Sequence, residues 1–160
     1  MRERVVVKWG GGLITHKDRM KSVRSEVLDD LANQLESCVE AGLDVILVHG
    51  AGSFGHLKAK TYRLAEGRSS TDELPREMTQ DEAVASVRAD MLELNQHVLN
   101  ALTKYDISAV SLAPHVWARN VGPQFEGDLG MFAAAPSGIV MVTHGDVVDC
   151  DGGKEFGILS

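Results

Sequence analysis

A mainly parallel α/β fold is predicted for this 160-residue chain by three observations. Two short β-branched runs, "RVVVKW" at residues 4–9 and "DVILVH" at residues 44–49, each empty into a cluster of glycines. Between them, Val27, Leu28, Leu31, Leu35 and Val39 recur at helical spacing over residues 25–41, and Gly42 supplies the stop. The unit of strand, glycines and helix then begins again after the second run, which is the pattern of a parallel sheet with crossover helices.

Each element follows in order. The run at 4–9 is apolar on both faces, as a buried strand is, and Gly10, Gly11 and Gly12 end it. The run at 44–49 is a second buried strand, and "SFGHLKAK" opens a helix behind it. Residues 63–77 are polar and turn-rich, which predicts a surface loop, with folding over a ligand as the alternative. The longest helix is predicted over residues 79–105. Its Val84, Val87, Met91, Leu94, Val98 and Leu102 form one stripe, read as core, with Met91 as a candidate for lining a pocket. "ISAVSLA" and "GIVMVTH" are two further strands around a less regular stretch at 114–137, and "DCDGGKEFGIL" has the turn chemistry of a hairpin.

Composition narrows the function. No apolar run approaches the roughly 18 residues a membrane span needs, and no secretory leader opens the chain, so a soluble cytoplasmic protein is expected. The formal charge of −7 argues against a general nucleic-acid surface, although a small pocket can still be basic. Cys38 and Cys150 form no metal-binding or redox spacing, so neither a zinc site nor a disulfide framework is expected.

The chemistry sits at the two glycine junctions. A strand that ends in glycines exposes backbone N–H groups, a natural cradle for an anion. Lys8 ends the first strand, Lys17 follows its glycines, and His56 follows the second glycine turn in "VHGAGSFGH". The first turn does not read as the G-x-x-x-x-G-K-[ST] phosphate loop. Gly50, Gly52 and Gly55 match G-x-G-x-x-G, but no acidic residue ends a strand about 20 residues on, which a dinucleotide site requires. His49, at a strand end, is read as satisfying backbone groups, and His144, before the Gly145-Asp146 turn, is a weaker ligand candidate. His16, His97 and His115 carry no motif.

Together, K-x-G-G-x-x-I-T-x-K from Lys8 to Lys17, "VHGAGSFGH" followed by "KAK", and "HGDVV" followed by "GILS" resemble the isopentenyl phosphate kinases of the amino acid kinase superfamily. The resemblance implies a three-layer α/β/α fold of amino acid kinase type and transfer of the ATP γ-phosphoryl group, with Mg2+, to isopentenyl phosphate in isoprenoid biosynthesis. It implies catalytic roles for Lys8, Lys17 and His56. Lys8 would stabilise the transferring group, Lys17 would hold the ATP phosphates with Gly10 and Gly12, and His56 would hold the acceptor phosphate. Gly11, Gly52, Gly55, Gly145 and Asp146 would border the acceptor. No protein ligand for a metal can be named.

Two departures from the family pattern stand out. Gly12 occupies a position where these kinases usually carry serine, and the chain ends at Ser160, where they continue into a nucleotide-binding lobe. The expectation is therefore an acceptor-binding lobe at 1–160, inactive alone, exposing a sheet edge or apolar face and possible as a homodimer. A fosfomycin-type kinase and a non-catalytic phosphate-binding module are the competing readings. An apolar pocket beside His56 would favour isopentenyl phosphate.

Overall fold

The two glycine-terminated runs are adjacent strands of one sheet. The computed structural model describes residues 2–160. Strand β1 (Arg4–Trp9) leads through α1 (Gly11–Ile14) into α2 (Ser25–Glu40), β2 (Asp44–His49) and α3 (His56–Thr61). Then come the long α4 (Gln80–Lys104), β3 (Ala109–Ser111) and α5 (Pro114–Trp117). The irregular stretch holds β4 (Ala118–Arg119), β5 (Glu126–Gly127) and α6 (Gly130–Ala133), followed by β6 (Val140–His144), β7 (Asp146–Asp149) and β8 (Phe156–Leu159).

The main sheet has the order β1-β2-β6-β3, parallel throughout, so the α/β expectation holds. Its register sets Lys8 beside Val48, Trp9 beside His49, and His49 beside His144. Strands β7 and β8 form the expected hairpin, with a 3-10 turn at Gly152–Lys154.

One sheet face carries Val45, Leu47, Val140 and Val142, packed in a single core with Leu28, Ala32 and Leu35 of α2 and the stripe of α4. Every residue of that stripe, from Val84 to Leu102, is buried. The other face is only partly covered: Val6 is 68% exposed and Val110 46%. Val6 lies on one edge strand and lines the cleft described below, and Val110 lies on the other edge strand. Among the described residues, no helix is long and apolar enough to cross a membrane.

Helix α4 starts where its sequence says it should. Thr79 Oγ1 accepts from the Glu82 N–H at 3.1 Å, and Glu82 Oε2 accepts from the Thr79 N–H at 2.8 Å, a reciprocal cap. Thr79→Ala should lower stability by about 1 kcal/mol, read as a fall of a few degrees in the calorimetric midpoint.

The loop at 63–77 is more firmly held than its composition suggests. Leu64 is fully buried, and the Gln80 carboxamide donates to the carbonyls of Tyr62 and Gly67 while accepting from the Ser69 N–H. Arg68 pairs with Asp81 and Glu155. The first half of this segment is thus tied to α4 and the hairpin. Buried Leu64 and Gln80 do this, and neither shows a periodicity that sequence reading can use.

Candidate active site

A cleft of about 1120 Å³ opens at the carboxyl ends of β1, β2 and β6, where parallel α/β sheets bind ligands. Its floor is the meeting of the two glycine turns. A Cβ placed on Gly11 would lie 2.1 Å from the Gly52 backbone nitrogen, and one on Gly50 would lie 2.5 Å from the Gly11 nitrogen. The turns cross backbone against backbone, and no side chain fits between them. Thr15 locks the crossing: its hydroxyl donates to the Gly11 carbonyl at 2.6 Å and accepts from the Ser53 N–H at 3.0 Å. The bonds of α1 begin at Leu13 and Ile14, both onto the Gly10 carbonyl, which leaves the N–H groups of Gly11 and Gly12 ahead of them.

Around this floor stand Lys8, Lys17, His56 and Lys60, all exposed and all lining the cleft. Neighbouring cations are engaged elsewhere. Lys58 meets Asp90 at 2.7 Å, Lys21 meets Glu93 at 2.6 Å and Asp90 at 3.3 Å, and Arg63 meets Glu73 at 2.8 Å. Among the described residues, Lys8, Lys17 and Lys60 have no ion-pair partner. A chain of net charge −7 thus keeps a locally cationic cleft. Asp90, 8% exposed, ties Lys58 of α3 and Lys21 of the segment after Lys17 to α4, so the elements carrying His56 and Lys17 share one anchor.

Part of the cleft wall is apolar. Leu57 and Ala59 of α3, Val87 and Met91 of α4, and Ile158 line it. A Cβ on Gly55 would meet Met91 Sδ at 3.4 Å and Val87 Cγ1 at 3.5 Å, so the bare glycine lets the turn before His56 pack directly on α4. Met91 is 1% exposed and serves both the core and the cleft.

Of the residues expected at the site, Lys8, Gly11, Gly12, Lys17, Gly52, Gly55, His56, Gly145 and Asp146 all line this one cleft. Gly10 does not; a Cβ there would meet nothing within 4 Å, and its carbonyl instead caps α1. A Cβ on Gly12 would come within 2.8 Å of Lys17 Cε, the far end of a flexible side chain that can move aside. The Lys17 side chain lies back across this turn. The polar groups of the Gly145-Asp146 turn face inward. The Gly145 N–H donates to the His49 carbonyl at 3.0 Å, and the Asp146 carboxylate accepts from Val147 N–H, His115 N–H and His115 Nδ1 at 2.9, 2.9 and 2.7 Å. Asp146 therefore shapes the wall and orients α5.

Sequence reading passed over several lining residues. Lys60 is four residues after His56, hence on the same face of α3, a signal that was available in "HLKAK". Pro114 and Trp117 arrive from the irregular stretch, with no local signal. His49 is fully buried and also reaches the cleft. Its Nδ1 donates to the Gly50 carbonyl at 3.0 Å, and its Nε2 sits 3.1 Å from the position of Asn95 Oδ1. A neutral ring has one N–H, already given to Gly50, so Asn95 must turn its NH2 to Nε2. Burial, the largest influence, pushes the His49 imidazole down to about 4.

The fold and the cleft define a parallel α/β domain with a cationic, partly apolar cleft at the carboxyl edge of its sheet. The chain belongs to the amino acid kinase family, whose family model matches residues 3–160. It is similar to the isopentenyl phosphate kinase of Methanothermobacter thermautotrophicus, with 31% identity over 98% of this chain and 58% of that protein. The isopentenyl phosphate kinase of Methanocaldococcus jannaschii is 24% identical over 89% of this chain and 55% of that protein. A solved isopentenyl phosphate kinase structure superposes with a TM-score of 0.86 at 28% identity, covering 99% of this chain and 63% of that one. The chain spans somewhat over half the length of the relatives it matches.

Proposed function

We propose that residues 1–160 are the phosphate-acceptor lobe of a kinase that transfers the γ-phosphoryl group of ATP to isopentenyl phosphate, giving isopentenyl diphosphate. The observation that carries this reading is the pairing, in one cleft, of the unpaired cations Lys8 and Lys17 and the imidazole of His56 with the exposed apolar side chains of Val6 and Leu57 and the half-buried Ile158. Isopentenyl phosphate has the matching form, an anionic head on a short branched hydrocarbon. His56 donates to the acceptor phosphate, Lys8 neutralises charge on the group in transit, and Lys17 holds the ATP phosphates. Phosphoryl transfer asks mainly for positioning and charge neutralisation, which these groups provide without an acid–base relay. Magnesium would travel on the ATP phosphates, its usual mode of binding.

Calorimetric titration tests this reading. Isopentenyl phosphate should bind, and inorganic phosphate and fosfomycin should compete weakly, because neither fills the apolar wall. His56→Ala should weaken binding roughly 10- to 100-fold, the loss of one hydrogen bond to a charged group. A preference for fosfomycin, or binding indifferent to His56→Ala, would refute the acceptor assignment.

A further inference from the structure

The cleft wall contains one buried polar atom with nothing to bond. His144 ends β6, is 3% exposed, and stacks on His49 with ring centroids 5.0 Å apart and planes inclined by 28°. Its Nδ1 lies 2.8 Å from the Gly145 carbonyl oxygen, which can only accept, so Nδ1 carries the ring proton. The Nε2 of a neutral ring is then a bare lone pair. It is buried and has no partner among the described residues. The contrast with His49 is direct: the two rings make the same bond to the following carbonyl, but Asn95 completes only His49. A buried acceptor without a donor is costly and rare in native proteins, so this one marks where a donor or a proton arrives.

We infer that His144 is a proton-accepting residue of the phosphate site, whose Nε2 takes up one proton when a phosphate monoester binds and whose ring then pairs, as imidazolium, with the phosphate dianion. The inference rests on the phosphate-site reading above. If the ester arrives as its monoanion, the phosphate O–H bond breaks, its electron pair stays on oxygen, and an N–H bond forms at Nε2. If it arrives as the dianion, the proton comes from the buffer acid. Both routes end with a dianionic phosphate, whose free oxygen is the nucleophile a kinase needs, beside a cationic ring. The titratable groups around His144 are His49 on β2, His115 on α5 and Asp146 on β7; the Asp146 carboxylate favours the imidazolium and His115 opposes it. Burial keeps the empty site neutral, holding the His144 imidazole below its ordinary value. An incoming phosphate supplies the missing counter-charge.

The test uses the 160-residue chain and isopentenyl phosphate, with two readouts. Calorimetry slightly above neutral pH, in buffers of different ionisation enthalpy, should show about one proton taken up per bound ligand. Imidazole nitrogen NMR should show His144 Nε2 unprotonated in the free chain and protonated in the complex, in the wild type and in His56→Ala at saturating ligand. His144→Gln should weaken binding about tenfold, as loss of a charged hydrogen-bond partner does, and abolish the uptake. Binding with His144 Nε2 still unprotonated overturns the inference and leaves the phosphate-site reading standing. Failure of the folded chain to bind any phosphate ligand overturns that reading, and the His144 inference with it.

Discussion

Gly52→Ala should destabilise the chain by about 3–5 kcal/mol, combining overpacking against backbone with a left-handed conformation imposed on alanine. The residue has φ +50°, and its Cβ would lie 2.0 Å from Thr15 Oγ1 and 2.4 Å from the Gly11 carbonyl oxygen. Thr15 cannot retreat without breaking its bonds to Gly11 and Ser53, which join the two turns. The calorimetric midpoint should fall by roughly 10 °C, and phosphate binding should weaken with it because both turns form the floor of the cleft. Gly10→Ala is the matched control. With nothing within 4 Å of the added Cβ, it should change stability by less than about 0.5 kcal/mol. Equal stability of the two variants would show that the turns do not cross as described.

Acidification should cost the chain roughly 3 kcal/mol through His49 alone. The imidazole is held at about 4 in the fold against an ordinary value of 6.5. Between those values the unfolded chain binds a proton that the folded chain refuses. Stability is therefore full above the ordinary histidine value, declines as the pH falls through the window, and levels off below about 4. His144 is displaced in the same direction, also by burial, and adds to the slope. Urea titrations at a series of pH values, on wild type and His49→Gln, measure the effect. A slope as steep in the variant as in the wild type would remove His49 as its source.

Gly10, Gly11 and Gly12 look alike in "WGGGL", yet one caps a helix, one is pressed against Gly52, and one lies under the Lys17 side chain. The second of these depends on a turn some forty residues away, and the other two on which way the local chain folds back. His49 and His144 likewise end their strands in similar runs, "VHG" and "THG", and only the placement of Asn95 on α4 separates them. His115 carries no motif at all, but from α5 it holds the Asp146 carboxylate at the start of β7.

What could be read in one dimension is what is encoded at short range. The strands at 4–9 and 44–49, the stripe of α4 and the Asp-Gly-Gly hairpin follow from side-chain period and turn chemistry. The placing of Lys8, Lys17 and His56 at glycine junctions follows from them in turn. The sequence by itself thus determined a mainly parallel α/β chain with two basic, glycine-rich strand ends. Only the tertiary structure decided that these ends meet in one cleft, that the apolar side chains of Val6, Leu57 and Ile158 join them there, and that one buried imidazole nitrogen is left without a partner. Packing and hydrogen-bond satisfaction are sums over residues distant in the chain, and no local pattern records them.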